Sequence, residues 1–451
     1  MPIDRRQFFQ TSLGTLAASA IPGAASAGKN TFQDGELRVG ILGSGYRGQS
    51  HIGELLAQPR VRVTAIADID PRMIERTNSM FDERNLERPA LYDRGPEDYQ
   101  RLLAEAPVDA VIIATPWRWH TVMAVAAMQA GKYTGLEVGG AFSLDECWEL
   151  VRTHEATGTH LFFLENVCYR RDVMAVLNMV RQGLFGELLH LEGGYQHDLR
   201  AVKFNDGEAA YGNGVEFGEK AFHEARWRTR HSQFRNGDLY PTHGLGPVAN
   251  MIGINRGNRF VGLTSMATKS RGLHKYIVDH GGADHPNAEV EFKLGDVVTS
   301  MLSTVNGQVV VLHHDTNLPR PYSLGFRVQG TEGLWMDVNK SLHLEGKSPE
   351  HQWEDAASYL ERYDHPYWKK DGDLAAGGGH GGMDYFLIRD FVRVARAGTR
   401  PPLDVYDGAT WLAVTPLSEQ SIAAGGSLQQ FPDFTRGRWM DRVDDFATEE
   451  S

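Results

Sequence analysis

The stretch Val39–Gly48, VGILGSGYRG, constrains this chain more than any other. An apolar run, Leu37–Leu42, breaks into Gly43-Ser44-Gly45-Tyr46-Arg47-Gly48. This is GxGxxG where a buried strand would turn into a helix. The spacing predicts a tight turn at Gly43, backbone approach to a pyrophosphate at Gly45, and close helix–strand packing at Gly48. The new helix would turn free N–H groups and its positive dipole end toward the phosphates. A second apolar run, Val61–Ala67, ends in Asp68, 20 residues after Gly48. A carboxylate at that strand end suits the ribose hydroxyls of NAD and repels the 2′-phosphate of NADP.

The pattern continues as a doubly wound parallel sheet. Val108–Thr115 is nearly all apolar, as a strand covered on both faces must be. It leads through Pro116-Trp117-Arg118-Trp119-His120 into a helix over Thr121–Ala130. Tyr133–Val138 and Leu161–Leu164 read as further strands, with a helix over Ser143–Thr157 between them. Ser143 and Glu146 have capping-box spacing. Such sheets bind ligands beyond the carboxyl ends of their strands. Asp68, Trp117–His120, Glu137-Val138 and Glu165-Asn166 all fall there.

From about residue 167 the texture changes. After a helix over Val173–Gln182 come extended segments at Leu188–Gln196, Phe260–Thr268, Ala288–Leu294, Val297–Val305, Gln308–Thr316 and Tyr322–Gln329. Asn306-Gly307 reads as a hairpin turn. Successive strands predict an α+β domain with a largely antiparallel sheet. Residues 347–382 lack periodicity and read as a surface excursion. Helices over Met383–Ala397 and Gly408–Ala424 close the chain. The expected organisation is a leader over 1–27, a Rossmann domain over 36–166, an α+β domain over 167–382, and helices over 383–440 that return to the first domain.

The leader rests on Arg5-Arg6-Gln7-Phe8-Phe9, the mildly apolar Leu13–Ile21 and Ala25-Ser26-Ala27. That is a charged region, an apolar region and an A-x-A site. The run is too short and too rich in small residues to span a bilayer. The arginine pair resembles a twin-arginine export signal, which implies passage of the folded protein through that machinery to the periplasm. A net charge of −12 gives no support for binding nucleic acid or an anionic membrane. The two cysteines, Cys147 and Cys168, sit in apolar contexts and read as buried thiols. Oligomeric state is left open.

In the second domain, Tyr240-Pro241-Thr242-His243 precedes a helix over Gly246–Ile252. His243 there suits a base or a sugar-hydroxyl ligand; a capping or core histidine is the competing reading. Arg226, Arg228 and Arg230 alternate, and as a strand would share one face. Tyr195 closes one strand and Tyr322 opens another. Aromatic residues near strand ends suit carbohydrate, though they are also ordinary sheet residues. No metal constellation is present: His313-His314-Asp315 would alternate across a strand, and His380 lies alone in a glycine loop.

Taken together, the leader, GSGYRG, ATPWRWH, GLEVGGAFSLDECW, FLENVCYRR, NGDLYPTHGLGP and GGGHGGMDY resemble glycoside hydrolase family 109. These are NAD-dependent α-N-acetylgalactosaminidases within the Gfo/Idh/MocA oxidoreductase-like group. Dehydrogenases of that group usually carry Glu-Lys-Pro where this chain has Glu137-Val138-Gly139. The missing lysine favours the hydrolase over the alternative, an exported NAD-dependent sugar oxidoreductase. The resemblance implies NAD contacts at Gly43, Ser44, Gly45, Tyr46, Arg47, Asp68, Trp117, Arg118, Trp119, His120, Glu137, Val138 and Asn166. It implies sugar contacts at Tyr195, Arg228, Tyr240, Pro241, Thr242, His243 and Tyr322, with Glu165 near the reacting centre. Tyr195, Tyr322, Glu165 and His243 are the implied catalytic groups. The implied chemistry is oxidation at C3, loss of the C2 proton, elimination at C1, water addition and re-reduction, with no net redox change.

Overall fold

In a computed structural model, residues 35–448 are described. The leader over 1–27 lies outside them. Six parallel strands form the first sheet: β1 (Leu37–Leu42), β2 (Val61–Ala67), β3 (Ala90–Tyr92), β4 (Ala110–Ile113), β5 (Tyr133–Leu136) and β6 (Leu161–Phe163). Their order is β3-β2-β1-β4-β5-β6, the Rossmann order. Its reversal between β1 and β4 opens the crevice beside the glycine loop. Leu37, Val39, Ile41 and Leu42 of β1 are fully buried, which explains why this strand reads as a continuous apolar run.

Helix α1 (Tyr46–Leu56) starts at the loop, with Gly45 as its N-cap. Gly43 sits at φ +89°, and a β-carbon on Gly48 would overlap the Gly43 carbonyl oxygen. Helix α2 (Pro71–Asp82) follows Asp70, whose side chain accepts the Arg72 N–H. The other helices of this domain are α3 (Tyr99–Glu105), α4 (His120–Gln129) and α5 (Leu144–Thr157). The Ser143–Glu146 capping box is present at α5, and Gly158 ends that helix in the left-handed region.

The chain enters the second domain through α6 (Arg171–Arg181). The second sheet has nine strands: β7 (Leu188–Gln196), β8 (Phe260–Ala267), β9 (Val297–Thr304), β10 (Val309–Asp315), β11 (Arg327–Gly330), β12 (Gly333–Met336), β13 (Ser341–Leu344), β14 (Glu354–Asp355) and β15 (Gln429–Gln430). Their order is β14-β13-β12-β11-β7-β10-β9-β8-β15. Every neighbouring pair is antiparallel except β7 and β10. The Asn306-Gly307 turn joins β9 to β10, with Gly307 at φ +92°.

Several local expectations change. Ala288–Leu294 is not a strand: it begins as a 3-10 turn, Pro286–Glu289, because Pro286 starts a turn that His285 caps. Arg226, Arg228 and Arg230 do not share a strand face; a 3-10 turn, His223–Arg226, runs into the helix Arg228–Phe234. The helix after Tyr240 starts earlier than expected and spans Thr242–Met251, with Pro241 at its cap. Residues 347–382 contain the helices Ala357–Arg362 and Pro366–Ala375. The last helical stretch is two helices, Val405–Leu412 and Val414–Ala423. Ahead of them, helix Met383–Ala397 lies on the first sheet, its Phe391 ring 5.9 Å from Tyr133 and 6.3 Å from Phe162. Cys147 and Cys168 are buried free thiols. Among the described residues, no helix is long and apolar enough to cross a membrane.

Candidate active site

A cavity of about 740 Å³ opens at the carboxyl end of the parallel sheet and runs to the second domain. Its volume falls within the roughly 300–1,000 Å³ of small-molecule sites. One end is walled by Gly43, Gly45, Tyr46, Arg47 and Asp68, and the middle by Trp117–His120, Glu137, Val138 and Asn166. The far end carries Tyr195, Arg228, Tyr240 and His243. Sixteen of the expected contacts therefore share one cleft. Ser44, Glu165, Pro241, Thr242 and Tyr322 do not line it.

Those five have identifiable places. Ser44 is fully buried, and its N–H and hydroxyl both donate to Asp68 Oδ2, at 2.6 and 3.1 Å. Glu165 is fully buried behind His243. Pro241 and Thr242 begin the helix that carries His243, and Thr242 is wholly buried. Tyr322 lies ahead of β11 on an extended connection, half exposed, with its ring 6.4 Å from Tyr195 and 4.9 Å from His197. It flanks the tyrosine at the cavity wall rather than forming that wall.

The phosphate end fits a dinucleotide. Apart from its chain neighbours, the nearest atom to a β-carbon on Gly45 would be His223 Nε2, at 3.6 Å, so backbone faces the cleft there. The amides of α1 begin at this point, which is the arrangement that binds phosphate. Asp68 also accepts the Asp70 N–H at 2.8 Å, so its carboxylate braces the glycine loop as well as facing the cleft.

Arg47 has a different setting from that expected of a cofactor contact alone. Its Nε donates to Glu137 Oε1 at 2.6 Å and its Nη1 to Asp384 Oδ2 at 2.7 Å. Glu137 Oε1 also lies 2.7 Å from Nε2 of the buried His51, and Asn166 Nδ2 donates to Asp384 Oδ1 at 2.8 Å. Burial opposes charge on Glu137, but Arg47 and His51 overcome it and hold the carboxyl down at about 2. Burial keeps His51 below its usual value, so it stays neutral and Nε2 donates. This network ties α1, the end of β5 and helix Met383–Ala397 under the cleft floor.

At the sugar end, helix Thr242–Met251 presses directly onto β7. A β-carbon on Gly244 would overlap backbone atoms of Gly193 and Gly194, and one on Gly193 would overlap the Gly244 carbonyl. This close approach places the His243 ring 5.4 Å from Tyr195 and 4.9 Å from Tyr240. His243 Nδ1 lies 2.7 Å from Glu165 Oε1, and that oxygen also accepts the Val167 N–H at 3.1 Å. Burial raises the phenols of Tyr195 and Tyr240 above their ordinary value, and the nearby Arg228 only partly offsets it. Burial likewise raises Tyr322. Arg228 pairs with Glu224 at 2.5 Å and lies over the rings of Trp117 and Tyr240, at 5.0 and 5.2 Å.

Sequence reasoning passed over His223, Glu224, Trp227, His231, His51 and Asp384. Trp227 and His231 pack on Trp117, at 5.1 and 5.3 Å. Asp384 carried one available signal: with Asp390 it is one of two carboxylates on the buried face of an amphipathic helix. Residues 204–227 have no periodicity that would single out His223 or Glu224. Among the described residues there is no metal-binding cluster of His, Cys, Asp and Glu.

A Rossmann sheet, a phosphate cradle and a histidine–tyrosine cluster in one cleft define a two-domain NAD-binding enzyme. Residues 37–164 match the profile described as oxidoreductase family, NAD-binding Rossmann fold, and residues 169–441 match glycosyl hydrolase 109, C-terminal domain. A glycosyl hydrolase family 109 protein of Stenotrophomonas maltophilia (strain K279a) is 52% identical over 448 residues, covering 98% of each chain. A protein of Tannerella forsythia named alpha-N-acetylgalactosaminidase is 52% identical over 442 residues, covering 96% of this chain and 94% of its own. Among solved structures, a levoglucosan dehydrogenase in complex with NADH and levoglucosan shares the fold at a TM-score of 0.62 and 19% identity, over 88% of this chain and all of that one. The chain belongs to glycosyl hydrolase family 109, and its first domain is an NAD-binding Rossmann domain of the Gfo/Idh/MocA group.

Proposed function

We propose that this glycosidase hydrolyses terminal α-linked N-acetylgalactosamine by an oxidation–elimination route in which NAD is returned unchanged. The observation that carries the reading is the His243–Glu165 pair, set beside Tyr195 and Tyr240 in the cleft that also holds the phosphate cradle. Of the carboxylates at this end, Glu165 pairs with His243 and Glu224 with Arg228, unlike the free pair of ordinary glycosidases; NAD-dependent glycosidases are exceptions to that arrangement. The name of the Tannerella forsythia relative supports the choice of sugar.

When bound, NAD supplies reversible hydride removal at C3 of the sugar, which acidifies C2 and opens elimination at C1. Gly43–Arg47 and Asp68 would hold its phosphate and ribose end, with Trp117–His120, Glu137, Val138 and Asn166 along the rest. The work of the chain's own residues is proton movement. His243 Nδ1 donates to Glu165, so Nε2 is left as the acceptor for the proton of the reacting hydroxyl. Glu165 fixes that tautomer and favours the imidazolium that forms. Tyr195 and Tyr240 hold their protons, which suits donation to the departing oxygen. Where dehydrogenases of the wider group carry lysine, Val138 offers no competing acid or base. The paired arginines and the A-x-A site of the leader support export by the twin-arginine route and a periplasmic location.

The test is hydrolysis of an aryl α-N-acetylgalactosaminide in deuterated water, with aryl release followed alongside deuterium at C2 of the product. Elimination puts solvent deuterium at C2. Aryl release with C2 untouched rejects the mechanism, and stoichiometric NADH accumulation returns the protein to the oxidoreductases.

A further inference from the structure

The segment following β7 crosses from the second domain onto the nucleotide side of the first. Fully buried Asn205 closes it into a loop: its side chain accepts the N–H groups of Gly207 and Phe222, both at 3.0 Å, and donates to the Phe222 carbonyl at 2.8 Å. The loop docks by packing Ala210 and Phe222 against Met73 of α2, with Tyr46 alongside. The Arg72 guanidinium lies 3.7 Å above the Phe222 ring, close enough for a cation–π contact.

At the end of this loop stands His223, with the backbone at φ +56°, a region L side chains rarely adopt. Its ring packs on Tyr46, tilted by 31° with the centroids 4.2 Å apart, and lines the cleft. Its Nε2 accepts the Tyr46 N–H at 3.4 Å, and that amide is the first of helix α1. The proton of the neutral ring is therefore on Nδ1, a buried atom with no partner. The ring thus stands beside the amides that the motif turns toward phosphate, with an N–H that no protein group takes. The next residue, Glu224, pairs with Arg228 at the sugar end. The left-handed turn at His223 sends consecutive side chains to the two ends of one cleft.

We propose that His223 is a cofactor-binding residue, contributed by the second domain, which meets the dinucleotide's pyrophosphate at the α1 amides and latches the 205–223 loop over it. The latch rests on the NAD reading above. It makes departure of the nucleotide depend on lifting a loop anchored by Asn205, Phe222 and Arg72. A retained cofactor is what a reaction without net redox change requires.

The test measures retention, not turnover. Full-length protein is dialysed as purified, and the NAD remaining is released by heat and quantified over time. Two variants separate packing from binding. His223→Phe keeps an aromatic ring against Tyr46 and removes both nitrogens; His223→Gly keeps the left-handed backbone and removes the ring. Both should lose NAD about tenfold or more faster than the parent, the scale of one hydrogen bond to a charged group. Circular dichroism melting of the stripped proteins identifies variants that fail to fold. Retention by folded His223→Phe equal to the parent overturns the proposal and leaves the NAD reading standing. A parent protein that takes up no NAD overturns both.

Discussion

His243 Nδ1 lies 2.7 Å from Glu165 Oε1, and this contact joins the end of the parallel sheet to the first turn of a helix in the second domain. The second carboxylate oxygen of Glu165 is buried without a partner. A carboxylate kept this dry concentrates its interaction on the imidazole, because little solvent screens it.

Removing the ring tests that role. His243→Ala should lower kcat by about 10²–10⁴-fold, the range for one positioned acid or base, with NAD content unchanged. Glu165→Gln should keep NAD and lower kcat as well, since an amide cannot stabilise the imidazolium. Steady-state kinetics beside nucleotide quantification checks both. Loss of NAD in His243→Ala would move the residue from proton transfer to cofactor binding.

Acid stability should report the Glu137 network. The Glu137 carboxyl has an ordinary value of 4.5 and is held at about 2 in the folded protein. A depressed carboxyl stabilises the fold fully above the unfolded value and loses that contribution as pH falls through the folded value. Stability should therefore decline between pH 4.5 and about 2. Glu137→Gln should flatten that part of the curve while lowering stability near neutrality. Urea unfolding midpoints across this range give the measurement; an unchanged slope would remove Glu137 from the account.

Asp68→Ala should weaken NAD binding by about tenfold or more and NADP binding by less, because charge-assisted hydrogen bonds to the ribose are lost with the repulsion of a 2′-phosphate. The Ser44 amide also loses its acceptor, so the loop loosens and total affinity falls. Calorimetry with both nucleotides checks it. A parent protein that prefers NADP contradicts the role given to Asp68.

Arg5→Lys together with Arg6→Lys should hold the precursor in the cytoplasm if export uses the arginine pair. Fractionation with immunoblotting resolves precursor from a product cut near Ala27. Normal export of the double variant would reject the twin-arginine route.

The first domain was readable because its chemistry is local in sequence. An apolar strand, three glycines and a terminal carboxylate follow one another within about thirty positions, and each has one physical reason to be there. His243 could be singled out but not placed: its helix starts at Thr242, ahead of Gly246, because Pro241 supplies the cap. Arg228 was found for its neighbours and misread in geometry, since alternation over five residues does not distinguish a strand from a turn entering a helix. His223 and Asp384 were illegible for a different reason. Their partners, Tyr46 and Arg47, are 177 and 337 positions away, and no spacing rule reaches across a domain.

The contact of Gly244 with Gly193 and Gly194 bears on how this enzyme could acquire new substrates. The helix that carries His243 meets the strand that carries Tyr195 through bare backbone against bare backbone, so its distance from that strand is not set by side chains at this contact. A residue larger than glycine at 193 or 244 wedges the helix off the strand, and one at 194 collides with the His313 carbonyl on β10. Glu219, Arg226 and Arg230 line the cleft, are exposed and lie under no such constraint. A saturation library should fall silent at 193, 194 and 244 and find its altered specificities at 219, 226 and 230.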